Sequence, residues 1–418
     1  MIMLIFIFLA GLVIYASYGL WGLACLIAAG VISYYLAFLI EKRRWVMWVS
    51  VAACSLWLLA LRLQGITGLT LLAPLGVSYF ALQIISYHAD IYRGKYVPER
   101  NIFRYLMYIT YIPHLFIGPI EPYDKLTPAI FENRRFSFQR LLSGGIRLMW
   151  GLMKKYMIAA RVDVLVRAIS GAPEQYGGAY ALTAMVLYAI QIYADFSGGM
   201  DLVLGVSDML GITLSENFDA PYFSQSVQEF WRRWHITLGA WLRQYVYIPL
   251  GGNRKGKLRK YLNLVVTFLV SGIWHGIHYL VWGLLNGIFV AVGDKLKTRF
   301  RALNVAGTFL TVCFLWSFFV WPNTGTALKM IASVFTAFPV SGYLSGIAAM
   351  GLATGDFIVL CVGVLAVLLG DIFRNRLKAI RLSTPAKTAI LCALALIVLV
   401  FGRYGFGFEA QSFIYSKF

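Results

Sequence analysis

Charge is scarce in this chain of 418 residues: 13% of it is Asp, Glu, Lys or Arg, against 60% hydrophobic. A soluble protein of this length has no core large enough to hide that much apolar surface. With a mean hydropathy of +0.72, the composition excludes the soluble classes and implies an all-α polytopic membrane protein. Acid is scarcer still, 18 residues against 37 basic ones, for a net charge of +19. In a membrane protein such an excess belongs to cytoplasmic loops on a lipid bilayer, so no nucleic-acid partner is expected. The five cysteines (Cys25, Cys54, Cys313, Cys361 and Cys392) are scattered through apolar runs with no close pair. That excludes a disulfide framework and a cysteine metal site. Linkers rich in Pro, Gly or Ser are missing too, so one membrane-embedded domain over 1–418 is expected. Its parts are peripheral helices over 1–70, a core over 74–301 and closing helices over 302–418. The N-terminus lacks a basic leader and reads as the first membrane helix.

Apolar runs over 2–16, 19–40, 46–62 and 69–91 read as spans. Basic clusters at Lys42-Arg43-Arg44 and at Arg93, Lys95, Arg100 and Arg104 lie two crossings apart. Both, and the N-terminus, are therefore expected on the cytoplasmic side of a bacterial cell membrane. Residues 102–118 break near Pro113, His114, Gly118 and Pro119. Over 137–167, Arg140, Arg147, Lys154 and Arg161 recur every seven residues opposite Leu141, Leu148, Leu152 and Ile158. That spacing predicts an amphipathic helix in the headgroup layer or over the bundle's cytoplasmic side; a tilted span with snorkelling cations is the other reading. The run 178–194 is interrupted by Asp195-Phe-Ser-Gly-Gly-Met-Asp201, and 202–214 is too short to cross. Both carboxylates should face a polar cavity or cationic partners, since a charge at membrane depth costs about 3 kcal/mol. Further segments at 262–276, 277–294, 305–322, 328–350 (broken at Pro339), 356–373 and 387–403 bring the total to about 11, several of them re-entrant.

The most unusual stretch is Ser271-Gly-Ile-Trp-His-Gly-Ile-His-Tyr-Leu-Val-Trp-Gly-Leu-Leu-Asn-Gly287. Wound as one helix, it sets His278, Tyr279, Trp282 and Asn286 at offsets of 3, 4, 7 and 11 from His275, on a single stripe. Gly276, Gly283 and Gly287 form a neighbouring seam for close helix packing. No acidic residue lies near the two histidines, so no metal is expected there. Histidine as a general base fits better, because its pKa lies near neutrality and it can pass a proton from a hydroxyl to a leaving group. A hydrogen-bonded core histidine is the competing reading of His275.

The second constellation is Gln228-Glu-Phe-Trp-Arg-Arg-Trp-His235, running on to Arg254. Glu229 is spaced to pair with Arg232 and Arg233, and Trp231 shares a face with His235. Arg254, Lys255, Lys257, Arg259 and Lys260 follow. They suit either the phosphates of an acyl donor or anionic lipid.

Four stretches together resemble the membrane-bound O-acyltransferases, in particular the bacterial branch containing the alginate O-acetyltransferase membrane subunit. They are Gly76–Gln83 with Tyr87–Gly94, Phe116–Ile120, Tyr193–Asp201 with Asn217–Tyr222, and Glu229–Leu238 through Tyr245–Arg254 to Gly272–Gly276. Phe413-Ile-Tyr is a weaker echo. Val320-Trp321 after Phe318-Phe319, and Glu121-Pro122, depart from the pattern. The resemblance implies a ring of tilted helices around a transmembrane tunnel, with His275 catalytic and His235 a second functional position. It implies that Trp231, Arg232, Arg233, Trp234, Trp274, His278, Trp282 and Asn286 serve the donor or line the tunnel, with His278 a neighbour that tunes or packs. An acyl group, acetyl foremost, would move from a cytoplasmic thioester such as acetyl-CoA to a hydroxyl on an extracytoplasmic glycan or partner acetyltransferase. D-alanyl transfer from a carrier protein to teichoic acid is the nearest alternative. A secondary transporter is the alternative of another class.

Overall fold

The computed structural model describes residues 2–67, 73–111, 113, 117–132, 135–293 and 297–405; His114, Phe116 and the Phe413-Ile-Tyr echo lie outside them. Every regular element among these residues is helical. In chain order they are α1 (Ile2–Ser17), α2 (Leu20–Lys42), α3 (Trp45–Thr67), α4 (Val77–Tyr92), α5 (Ile102–Thr110) and α6 (Tyr123–Phe131). Then come α7 (Phe138–Met153), a wide π turn (Lys154–Ala159), α8 (Ala160–Gly171) and the long α9 (Gly178–Met209). The central re-entrant region holds α10 (Val227–Arg233), α11 (Ile236–Leu242), α12 (Gly256–His275) and α13 (Leu280–Val292). The chain closes with α14 (Arg301–Val320), α15 (Thr324–Thr336), α16 (Tyr343–Ala348), α17 (Thr354–Ala379) and α18 (Thr384–Phe401). Among the described residues, six helices are long and apolar enough to cross a membrane, and two shorter apolar helices accompany them.

One end of the bundle is basic. There Arg44 donates to the Tyr92 carbonyl at 2.7 Å, Lys95 pairs with Asp124 at 2.8 Å, and Arg140 reaches the Gly211 carbonyl at 2.6 Å. Burial works against the Lys95 ammonium, but the Asp124 and Asp90 carboxylates outweigh it and hold its pKa above the ordinary lysine value.

The basic repeat over 137–167 turns inward along its length: Arg140 is exposed, Arg147 half-buried, and Lys154 and Arg161 buried. Helices α7 and α8, joined through the π turn, run alongside α9, and Lys154, Lys155 and Arg161 are buried. Arg147 pairs with Asp201 at 2.9 Å and Glu216 at 2.6 Å, Lys154 with Asp201 at 2.5 Å, Lys155 with Asp195 at 2.7 Å, and Arg161 with Asp356 at 2.9 Å. Two consecutive lysines at the start of this π turn thus reach carboxylates of the same neighbouring helix. Nor is α9 interrupted at Asp195: its carboxylates are neutralised inside the bundle, so the helix runs unbroken for 32 residues. A glycine seam brings the two helices together. A Cβ on Gly151 would stand 2.6 Å from the Gly198 carbonyl oxygen, and one on Gly205 would stand 2.7 Å from that of Gly144. Close backbone approach places the short lysine–aspartate pairs within reach.

Candidate active site

The stretch 271–287 is not one helix. Helix α12 ends at His275, Gly276 takes φ 150°, a 3₁₀ turn covers Ile277–Tyr279, and α13 then runs back. That φ is one that side-chain-bearing residues rarely adopt, so the glycine read as part of a packing seam is the bend itself. The remaining glycines make the hairpin tight. A Cβ on Gly272 would meet the Tyr279 carbonyl oxygen at 2.7 Å, and one on Gly287 would meet Val265 Cα at 2.7 Å. The hairpin sets out from the basic end, so His275 stands roughly 24 Å along the helix axis from Arg259.

His275 is 4% exposed. Its ring lies 4.7 Å from Trp274, 5.5 Å from Trp282 and 5.9 Å from Phe319, all edge-on. His278, predicted on the same stripe, is exposed on the 3₁₀ turn, because the bend has rotated it out of line with His275.

His235 sits between two seven-residue helices. Ser226 caps α10 by accepting from the Glu229 N–H at 3.2 Å, and Glu229 pairs with Arg233 at 2.6 Å. Arg232 is exposed, so of the two arginines only Arg233 makes the predicted pair. The chain then leaves the helix at Trp234, and His235 takes a left-handed backbone at φ 45° before α11 begins. Trp231 and His235 therefore do not share a helix face. A non-glycine residue in that region is uncommon and costs of order 1 kcal/mol, which surrounding contacts have to offset. They do so here: the ring meets Phe196 edge-on at 4.9 Å, and Nδ1 lies 3.3 Å from Asn217 Oδ1. That oxygen also accepts from the Thr237 backbone N–H and hydroxyl, both at 2.9 Å. Facing a committed acceptor, Nδ1 carries the proton and leaves Nε2 with its lone pair.

The two constellations meet in the bundle interior. Trp231 donates its indole N–H to Asn286 Oδ1 at 2.9 Å, and the Asn286 amide donates to the Trp282 carbonyl at 2.9 Å. Trp231 meets Trp282 edge-on at 5.6 Å, Trp282 stacks on Trp316 at 6.0 Å, and the fully buried Trp234 stacks on Phe230 at 5.4 Å. Trp274 lies edge-on to Tyr79 at 6.4 Å.

Two cavities flank the 215–217 loop. One, of about 620 Å³, is lined by Lys95, Lys125, Arg243 and Thr237, and the other, of about 570 Å³, by Arg147, Arg374 and Asn217. Each ends on a residue that holds His235 or the loop beside it. Among the described residues no group of three His, Cys, Asp or Glu side chains is placed to hold a metal.

Several contributors lay outside the predicted set: Arg62, Asn217 as the tether of His235, Trp316, and Phe319, which stacks on Tyr279 at 4.0 Å. A sign of Arg62 was present, since it is the one charge in the 23 residues of α3. Asn217 and Phe319 lay in stretches compared with the family but were given no role, and each, like Trp316, meets the site from another segment.

The model of the membrane-bound O-acyltransferase family matches residues 32–335. A probable alginate O-acetylase from Pseudomonas putida is 38% identical over 272 residues, covering 63% of this chain and 56% of that protein. A peptidoglycan O-acetyltransferase from Helicobacter pylori is 31% identical over 299 residues, covering 63% of this chain and 57% of that protein. A teichoic acid D-alanyltransferase from Streptococcus thermophilus is 26% identical over 250 residues, covering 56% and 60%. The chain spans little more than half the length of these relatives.

Proposed function

The chain belongs to the membrane-bound O-acyltransferase family, and from that premise we propose that it transfers an acyl group, acetyl foremost, between the two faces of a bacterial cell membrane. The donor is a cytoplasmic thioester such as acetyl-CoA, entering from the basic end. The acceptor is a hydroxyl at the opposite end, on a glycan or on an extracytoplasmic acetyltransferase that passes the group on. The N-terminus is on the cytoplasmic side, with the basic clusters.

The observation that carries this reading is the position of His275. It is buried at a bend far from the basic end and ringed by aromatics, and two cavities reach the loop beside His235. His275 takes the proton of the acceptor hydroxyl as its oxygen attacks the thioester carbonyl carbon. As the C–S bond breaks, the imidazolium returns that proton to the thiolate, giving an ester and a free thiol. Trp274, Trp282 and Asn286 shape the passage and exclude water. His235 with Arg233 orients the donor, while Arg243, in the lining of the 620 Å³ cavity, suits its phosphates.

Replacing His275 with Ala or Gln tests the assignment: a folded variant that acetylates its polymer at the normal level in cells overturns it. Mass spectrometry of the modified polymer separates acetyl from D-alanyl esters, the second reading, favoured by the similarity to teichoic acid D-alanyltransferases. Radiolabelled donor distinguishes transfer from transport. Covalent label on an acceptor means an enzyme, and unchanged solute crossing the bilayer means a transporter.

A further inference from the structure

Helix α3 carries a single charged residue, Arg62. A lone cation in a membrane helix costs about 3 kcal/mol and marks a functional position unless it reaches water. Arg62 is only half-buried, yet it directs its donors inward: Nε donates to the Trp274 carbonyl at 2.8 Å and Nη2 to Ser78 Oγ at 2.7 Å. Among the described residues no carboxylate pairs with it.

The acceptor explains the arrangement. Trp274 is the penultimate residue of α12, and its carbonyl is one of the last four, which no helical N–H can reach. The Gly276 N–H makes the last regular helical bond, to the Gly272 carbonyl, and the chain turns before a later N–H can come round to Trp274. A guanidinium at this point satisfies an orphan carbonyl and opposes the negative end of the helix dipole. A void of about 130 Å³ bounded by Leu58, Leu82, Trp241 and Ser271 lies beside the bend, and Arg62 is the polar bracket across it.

We propose that Arg62 is a positioning residue for His275: bracketed between Ser78 and the Trp274 carbonyl, it pins the α12–α13 bend to the N-terminal helices and so fixes the imidazole. Helix α3, expected in a peripheral layer, is thereby part of the site. The inference rests on His275 being the base, so its test includes an arm that does not need turnover.

That arm is the rate at which diethylpyrocarbonate modifies His275 in the purified full chain, read by mass spectrometry of its peptide. Arg62→Leu is expected to change this rate at least about threefold. It should lower kcat for acetyl transfer about tenfold or more while leaving KM for acetyl-CoA within about twofold, the split expected of a displaced base. Arg62→Lys, which keeps the charge and one donor, should recover much of both. Ser78→Ala, a small change, should shift both readouts the same way and add nothing in the Arg62→Leu background, as members of one network do. Should Arg62→Leu fail to fold, Arg62→Gln takes its place in the comparison. Wild-type labelling in a folded Arg62→Leu or Arg62→Gln variant, or additive effects with Ser78→Ala, overturns the proposal. If the wild-type chain transfers no acyl group, the proposed function falls and the labelling arm still decides the role of Arg62.

Discussion

Trp231 donates to Asn286 at 2.9 Å across 55 positions of sequence, and this bond joins the helix leading to His235 to the hairpin carrying His275. Asn286 is 1% exposed, so its carbonyl oxygen cannot turn to water for a substitute. Trp231→Phe keeps a ring against Trp282 and removes the donor. It should cost about 1–2 kcal/mol, the penalty of an unsatisfied buried acceptor moderated by the membrane reference state. The double variant Trp231→Phe/Asn286→Leu should lose less than the two single variants summed. Thermal unfolding in detergent measures all three.

Asn217 accepts three hydrogen bonds on one oxygen and thereby sets which nitrogen of His235 holds the proton. Asn217→Leu removes that acceptor and should lower the rate of acyl transfer at least tenfold, about 1.4 kcal/mol of barrier. Asn217→Asp keeps an acceptor oxygen in place and should lose less. Turnover of the two variants with the same thioester donor distinguishes loss of orientation from loss of volume.

The residues of the site were legible as unusual company in an apolar chain, and the shape that assembles them was not. His275, Trp282 and Asn286 stood out because polar and aromatic groups recur at helical spacing where lipid-facing residues belong. Yet Gly276 in such a run reads equally as a packing surface or as a break, and only its φ of 150° separates the two. The same ambiguity misplaced the heptad of Arg140, Arg147, Lys154 and Arg161. A seven-residue basic repeat suits a headgroup-facing helix and a charge-paired buried one alike, and the partners Asp201, Glu216 and Asp356 lie on other segments. The left-handed backbone of His235 leaves no trace in a sequence at all.

The α7–α9 seam yields a prediction about packing alone. Gly151→Ala would press a methyl to 2.6 Å from the Gly198 carbonyl oxygen, a rigid backbone atom that cannot move aside cheaply. Overpacking of this kind costs about 1–3 kcal/mol, so the melting temperature should fall by several degrees. Gly307→Ala is the control: its Cβ meets nothing within 4 Å, and in mid-helix it should be neutral or slightly stabilising.

Lys155 and Asp195 pair at 2.7 Å with little solvent access on either side, which makes them a test of what the buried charges contribute. Removing one partner takes the ion pair from a buried charge. Lys155→Met should therefore destabilise the fold by about 3–5 kcal/mol, enough to lower the yield of monodisperse protein. The double variant Lys155→Met/Asp195→Leu removes both charges and should recover most of that loss, because a matched apolar pair no longer bears the desolvation cost. Recovery of both yield and acyl transfer would assign the pair to packing of α9 against the π turn. Recovery of yield without activity would mean that the charges also shape the neighbouring cavity at Asp201, whose Lys154 partner sits one residue away.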